Sequence, residues 1–321
     1  MSHKSSVDVS IIMPVYNHEK YVAKALESIF DQQTSFTYEV IIGEDCSPDN
    51  SRAIIKDFEA RYPDRIKAYY REKNLGATNN GYLLHMEAKG RYIAILEGDD
   101  YWCDRNKIQR QAEFLDEHPE YIGVAHNFCK VDGDGNTIVD KCIRDGETNR
   151  IFTWEDFLDK FFLFQSATLM YRNFFLDGGD YSVLYKSHDI VGDLTVLTIL
   201  LNRSNIYILP EVMSAYREVI QKKATNARSV SLRDEALSNL KTVRQLDMLR
   251  PYLKNKKDFN KRIVRKKTGF VIEFMRHKKG YTFSRLMKII RYGDAETNFE
   301  CIGLAINMFV NKIRKKDNLY V

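Results

Sequence analysis

Glu97-Gly98-Asp99-Asp100 is the segment whose residue types point most directly to chemistry. Three carboxylates in four residues repel one another and destabilise a folded loop unless a cation neutralises them. Asp and Glu oxygens are the ligands that hard divalent ions take. With Gly98 permitting close backbone approach, such a loop can hold a metal-bridged diphosphate. The plainer alternative is an acidic, solvated turn, since motifs this short recur by chance. Position favours the first reading. The segment directly follows Tyr92-Ile93-Ala94-Ile95-Leu96, an apolar run suited to a buried strand. Open α/β sheets bind their ligands beyond the carboxyl ends of such strands.

The elements that must carry this loop alternate in type. Residues 9–15 are an apolar run ending in Pro14-Val15-Tyr16-Asn17, and Val22, Ala25, Leu26, Ile29 and Phe30 follow at the spacing of one helical face. Val40-Ile41-Ile42 predicts a second strand, running into Gly43-Glu44-Asp45-Cys46-Ser47-Pro48-Asp49. There Ser47 and Pro48 read as the N-cap and first residue of a helix that buries Ile54, Ile55 and Phe58. A strand is predicted at 66–70, a helix around Leu83 and Leu84, and the fourth strand at 92–96. Farther on come a helix on Ile108, Gln111, Ala112 and Leu115, strands at 124–131, 168–171 and 206–209, the last stopping before Pro210, and a helix at 194–201. This rhythm implies a parallel sheet with helices on both faces. It gathers Tyr16, Asn17, Glu44, Asp45, Asn74, Glu97, Asp99 and Asp100 on one edge.

Taken in order over about residues 7–220, four segments resemble the nucleotide-sugar half of a family 2 glycosyltransferase with the GT-A fold, as in bacterial enzymes of surface polysaccharide biosynthesis. They are Pro14-Val15-Tyr16-Asn17, Glu44-Asp45-Cys46-Ser47-Pro48-Asp49, Asn74-Leu75-Gly76 and Glu97-Gly98-Asp99-Asp100-Tyr101-Trp102. The resemblance implies a Rossmann-like, mostly parallel α/β sheet flanked by helices. It also implies inverting transfer of a single sugar from a nucleotide-sugar donor, a UDP-sugar, to a hydroxyl of a glycan or lipid-linked acceptor. Pro14, Val15 and Tyr16 would line the base pocket, Asp45 would accept the ring N–H of uracil or thymine, and Asn74 and Gly98 would adjoin the donor. Asp99 would ligate Mn²⁺ or Mg²⁺ directly, and Glu97 would share the metal site near the ribose. Glu97 stands where an aspartate is commoner, and Asn79-Asn80-Gly81 where many relatives carry an arginine near the diphosphate. That cation is then supplied elsewhere or absent; Arg217 is the candidate for it, the alternative being a solvated or ion-paired surface group.

Within Ser187-His188-Asp189-Ile190-Val191-Gly192-Asp193-Leu194, Asp193 matches the family's general base. An acceptor hydroxyl is a weak nucleophile and needs a carboxylate within about 3 Å to take its proton. The alternative is that Asp193 caps the helix after it. His188 and Asp189 are the reserve bases, and with Asp100 and Trp102 they complete the acceptor-side set. Gln165-Ser166-Ala167-Thr168 resembles a further acceptor-side element. Tyr101 and Trp102 either stack on a sugar face or anchor the loop in the core. His85 and His126 read as structural. The Gln-x-x-Arg-Trp signature of processive synthases does not occur, which favours single-sugar transfer.

Charge separates the chain into two parts. Residues 1–220, expected to be the catalytic domain, carry 24 Lys and Arg against 35 Asp and Glu, while residues 221–321 carry 25 against 9, net charges of −11 and +16. The second part reads as a basic, mainly helical extension. Its apolar stripes either pack on the catalytic domain or rest on an anionic membrane. No nucleic-acid module accompanies the charge, so nucleic acid is not an expected partner. Five scattered cysteines without a Cys-x-x-Cys pair indicate neither a zinc site nor a disulfide framework. The N-terminal Met-Ser-His-Lys-Ser-Ser has no apolar signal core, so a cytoplasmic location, peripheral on the membrane face, is expected. Two other functional classes fit the sequence less well. A sugar nucleotidyltransferase needs a glycine-rich N-terminal loop, and residues 11–20 contain no glycine. A non-catalytic nucleotide-sugar-binding module would have no use for the acidic cluster.

Overall fold

The computed structural model describes residues 7–160, 163–219 and 234–317, with side chains to residue 307. It divides into two compact units, Met1–Val219 and Ile220–Val321. The boundary expected at residue 220 lies outside the described residues. The first unit runs β1 (Val9–Val15), α1 (Val22–Phe30), β2 (Tyr38–Glu44), α2 (Ser51–Arg61), β3 (Ile66–Tyr70), α3 (Ala77–Glu87) and β4 (Tyr92–Ile95). It continues with β5 (Tyr101–Trp102), α4 (Lys107–Glu117), β6 (Gly123–Val131), β7 (Thr137–Val139), β8 (Arg150–Phe152), α5 (Trp154–Lys160), β9 (Met170–Arg172), α6 (Val183–Lys186), α7 (Asp193–Leu201) and β10 (Ile206–Arg217).

Every position of β1 except Pro14 is buried, as suits a central strand covered on both faces and built from Val, Ile and Met. Ser10 is tolerated there because its hydroxyl donates to Glu39 and accepts from the Gly90 N–H. Helix α1 turns Val22, Ala25, Leu26 and Ile29 into the core, each fully buried. Each of the larger ones contributes roughly 1.5–3 kcal/mol by leaving water. The strand order is β3-β2-β1-β4-β9-β6-β10-β5, with β7 on β6 and β8 on β10. Strands β1 to β4 are parallel, β9 runs antiparallel between β4 and β6, and β6 and β10 are parallel again.

Two of the predicted carboxyl-end loops are tied to β1 by backbone hydrogen bonds that outlast the strands. The Asp45 N–H donates to the Val15 carbonyl at 2.9 Å and the Gly98 N–H to the Pro14 carbonyl at 3.3 Å. Three expectations shift. Helix α2 begins at Ser51 behind Asn50, not at Pro48. Ser47 is engaged elsewhere, its N–H on the Glu44 carboxylate and its hydroxyl receiving the Asn17 N–H. Residues 166–168 form a 3₁₀ turn, so the strand there starts only at Met170. Strand β10 does not stop before Pro210 but runs on to Arg217. Its register against β6 shifts between Leu209 and Val212, where a residue without an N–H costs no ladder bond.

In the second unit, α8 (Glu235–Leu249), α9 (Asn260–Met275), α10 (Phe283–Ile290) and α11 (Ala295–Asp317) bury Leu240, Val243, Leu246, Ile263, Phe270, Ile289 and Cys301. Asp234 caps α8 by accepting from the Leu237 N–H and pairs with Arg285. Phe283 and Met287 of α10 stay exposed, as do Phe299, Ile302 and Ile306 of α11. The side chains of the basic run 312–316, and residues 222–233, lie outside the described residues. Among the described residues no helix is long and apolar enough to cross a membrane.

Gly90 tests the β1 packing. A Cβ there would meet the Ser10 nitrogen at 2.5 Å and the Val9 carbonyl carbon at 2.8 Å, both of them backbone atoms. Gly90→Ala is expected to destabilise by about 1–3 kcal/mol. Gly81→Ala, where a Cβ meets nothing within 4 Å, should stabilise α3 by roughly 0.5–1 kcal/mol. Urea midpoints at unchanged m-value measure both.

Candidate active site

The ends of β1 and β2 form the first wall. Val15 is buried, Pro14 and Tyr16 are half-buried, and Asn17 turns left-handed at φ 62° with its N–H on Ser47. Asp45, 2% exposed, accepts from the Leu75 N–H at 2.7 Å through Oδ1 and from the Gly76 N–H at 3.0 Å through Oδ2. Each oxygen keeps a lone pair for a further donor. The same carboxylate therefore shapes the Asn74 loop, where the exposed Asn74 side chain also accepts from the Gly76 N–H. In the Asn79-Asn80-Gly81 segment, Asn80 donates to the Gly43 carbonyl at 2.8 Å and accepts from Arg71 Nε at 3.2 Å. A Cβ at Gly43 would lie 2.4 Å from the Asn80 side chain, so strand β2 needs glycine there.

The acidic loop after β4 is braced on every side. Glu97 is half-buried and accepts from Ser166 Oγ at 3.2 Å. Asp100, 2% exposed, accepts from the Arg217 N–H at 2.7 Å through Oδ1, while its buried Oδ2 has no hydrogen-bond partner. The Arg217 side chain is 6% exposed and reaches three backbone carbonyls, those of Asp99, Asp132 and Gly133. Its guanidinium lies 4.4 Å from the centroid of the Tyr21 ring. Arg217 thus fastens the loop to β10 and the following turn, with these donors turned to carbonyls. Trp102 settles an alternative left open by the sequence. It is 4% exposed, its indole N–H donates to the Ala167 carbonyl, and Lys107 Nζ stands 4.2 Å from its ring centroid. Trp102 anchors the loop and is not available to stack on a sugar. Asp100, placed on the acceptor side by resemblance, is buried beneath the loop instead.

Burial and mutual repulsion dominate the electrostatics. Burial, then Asp193 and Asp99, push the Glu97 carboxyl up to about 8. Burial, then Asp99 and Glu97, raise Asp100 well above the usual carboxylate range. Asp193 is raised too, by desolvation. Solvent reaches Asp193 from one side, but it stands on a concave surface crowded by protein. The cluster as it stands holds more negative charge than its surroundings offset. The unpartnered Asp100 oxygen and the oxygen-only donor set fit a hard divalent cation beside it. Among the described residues no group of three or more His, Cys, Asp and Glu is arranged to hold a metal by itself.

Asp193 is the first residue of α7 and lines a small, partly open pocket together with Ser166, the partner of Glu97. Gly192 occupies the N-cap, so capping is not the Asp193 role. The two reserve bases sit differently. His188 is 6% exposed, and its Nδ1 accepts from the N–H groups of Ile190 and Val191 at 3.0 Å each. That bonding folds the loop leading to Asp193 and takes Nδ1 out of proton abstraction. The Asp189 side chain is exposed, while the His188 carbonyl receives the Thr78 hydroxyl.

One residue near the centre was missed. His18 Nε2 is 3.8 Å from Asp99 Oδ2, and its Nδ1 is buried without a hydrogen bond. A Cβ at Gly98 would lie 2.8 Å from that nitrogen and 3.0 Å from Val15, so Gly98 is required for the acidic loop to close on the β1 loop. His18 follows Asn17 directly, and reading the β1 loop one residue farther would have found it. The stack of Tyr21 on Arg217 spans the chain and leaves no such local signal.

A model of the family described as glycosyl transferase family 2 matches residues 10–176, just over half of the chain. An uncharacterised protein of Mycobacterium tuberculosis is 39% identical over 127 residues, 40% of this chain and 37% of that protein. The minor teichoic acid biosynthesis protein GgaB of Bacillus subtilis is 36% identical over 126 residues, 39% of this chain and 14% of that protein. The similarity thus spans well under half the length of these curated relatives. Among solved structures, S. aureus TarS with UDP-GlcNAc aligns with a TM-score of 0.52 at 17% identity, covering 83% of this chain and 81% of that one. At that identity the likeness establishes the GT-A fold.

The raised carboxyls have a consequence for stability. Glu97 binds its proton more tightly folded than unfolded, where 4.5 is the ordinary value. Its contribution is therefore complete below about pH 4.5 and is lost as pH rises through about 8. Chelator-treated protein should lose thermal stability across that window, and Glu97→Gln should flatten the slope. Equal slopes for the two proteins in melting curves would remove Glu97 as its source.

Proposed function

The chain belongs to glycosyl transferase family 2, and from that premise we propose that it transfers a single sugar, with inversion, from a UDP-sugar to a hydroxyl of a glycan or lipid-linked acceptor in cell-surface polysaccharide biosynthesis. The observation that carries this is that Asp193, distant in sequence, is brought to the Glu97-Gly98-Asp99-Asp100 loop at the carboxyl edge of the sheet, where Ser166 donates to Glu97 and shares a pocket with Asp193. In this reading Pro14, Val15 and Tyr16 bound the nucleobase, and Asp45 offers its remaining lone pairs to the uracil N–H, with Asn74 beside it. Asp193 takes the proton of the attacking hydroxyl. A carboxylate with raised proton affinity is a stronger base for that step than an ordinary aspartate. Without a cation Glu97 keeps its proton near neutrality, and a bound cation would displace that proton.

Asp99 and Glu97 would hold Mn²⁺ or Mg²⁺. Such ions bind through one or two carboxylates plus substrate phosphates, so two protein ligands suffice. When bound, the ion stabilises the charge that develops on the departing nucleoside diphosphate. Arg217, Trp102 and Gly98 hold the loop in place for it. For the second unit, the +16 charge of residues 221–321 and the exposed Phe283, Met287, Phe299, Ile302 and Ile306 support peripheral docking on an anionic membrane at the cytoplasmic face.

Asp193→Asn should lower transfer by roughly 10²–10⁴-fold while UDP affinity in the presence of Mn²⁺ stays within a few-fold of the parent. Full transfer by this variant, followed by product NMR on any accepted acceptor, would remove Asp193 as the base. Retention of anomeric configuration in the product would remove the inverting mechanism.

A further inference from the structure

Two walls of the site meet at the start of helix α3. On one side, the Asp45 carboxylate takes the Leu75 and Gly76 N–H groups at 2.7 and 3.0 Å, which fixes the chain just before the helix. Gly76 then turns at φ 85°, a conformation that favours glycine, and Ala77 opens α3. Thr78, 7% exposed, reaches the other side. Its hydroxyl donates to the His188 carbonyl at 2.6 Å. Its N–H, one of the first-turn donors that a helix leaves without an internal partner, faces the Asp189 carbonyl at 3.5 Å. The Thr78 methyl fills the space beside Gly192, 3.7 Å from where a Cβ would stand.

The segment that receives these contacts is closed on itself. His188 Nδ1 gathers the N–H groups of Ile190 and Val191, and the buried Ser187 and Thr195 hydroxyls bond to one another at 3.1 Å. Asp193 lies within that closure, at the first position of α7. A loop tied in this way moves as one piece, so a shift of its 188–189 carbonyls carries Asp193 with it. Resting on the proposed transfer reaction, we propose that Thr78 is a positioning residue for Asp193, through which the loop held by Asp45 at the nucleotide end of the donor sets the place of the base. Thr78 acts through the 187–195 loop and not on the reacting atoms.

Thr78→Val keeps the shape of the side chain and removes the hydroxyl. With a UDP-sugar that the parent enzyme transfers, it should lower kcat by roughly 10- to 100-fold, the scale on which misplacing a reacting group by about 1 Å acts. The calorimetric Kd for UDP with Mn²⁺ should stay within a few-fold of the parent. Thr78→Ser, which keeps the hydroxyl and lacks the methyl, should restore most of kcat, whereas a role in packing alone would impair it as well. Hydrogen exchange on the parent protein keeps the test sound if the valine variant fails to fold: UDP with Mn²⁺ should slow the Ile190 and Val191 amides along with those of Leu75 and Gly76. Unchanged kcat in Thr78→Val, a UDP Kd that weakens as much as kcat falls, or amides at 190 and 191 that ignore UDP while 75 and 76 respond, overturns the Thr78 assignment alone. Full transfer by Asp193→Asn removes the base, and failure of UDP to bind removes the donor reading; either takes this proposal with it.

Discussion

Gathering carboxylates where water is scarce is the constraint on which the site depends. Like charges held close in a region of low dielectric raise one another's proton affinity, and unless something compensates, the loop that carries them springs apart. Glu97 and Asp100 meet that condition, each raised by burial and then by neighbouring carboxylates. Much of the surrounding structure opposes the repulsion. Ser166 donates to Glu97, the Arg217 backbone donates to Asp100, and the Arg217 side chain clamps the carbonyls of Asp99, Asp132 and Gly133. Arg217 offsets part of the charge at Asp100, but Glu97 and Asp100 stay raised. These contacts hold the cluster assembled while leaving its charge to be met by a ligand.

The same economy governs the donor wall. Asp45 organises the Asn74 loop by taking two backbone N–H groups, and the loop in turn holds the carboxylate still. Gly43 and Gly98 permit the close approaches on which both walls depend, toward Asn80 in one case and toward His18 and Val15 in the other. A site built this way is preorganised by backbone and buried side chains, the condition under which electrostatic stabilisation costs no rearrangement when the reaction occurs. Trp102 extends the brace into the core, where its ring covers Lys107 and its N–H reaches the Ala167 carbonyl, next to Ser166.

The departures from the sequence reading share a cause. Ser47-Pro48 has the local chemistry of a helix start, but Ser47 gains more from Glu44 and Asn17, which are brought to it by β1 and β2. Pro210 looks like a strand terminator until a bulge absorbs it. Trp102 and His188 have side chains equally suited to a ligand and to an interior, and only their burial and partners decide. His188 is buried and Asp189 exposed because the 187–193 loop folds on the His188 ring and takes the Thr78 hydroxyl on the His188 carbonyl.

What the sequence by itself determined was the rhythm of strand and helix, the edge on which the loops emerge, and the residue types that wait there. Periodicity and side-chain chemistry are local properties, and Val9 to Val15, the acidic loop and Asp193 declare them without help. What only the tertiary structure decided was which of those residues face a ligand and which hold the others in place. Arg217 is a brace, Trp102 an anchor, and His18 a neighbour of Asp99, through contacts between residues 118, 65 and 81 positions apart in the chain. Burial, hydrogen-bond partners and proton affinity arise from such long-range neighbours, and no local pattern encodes them.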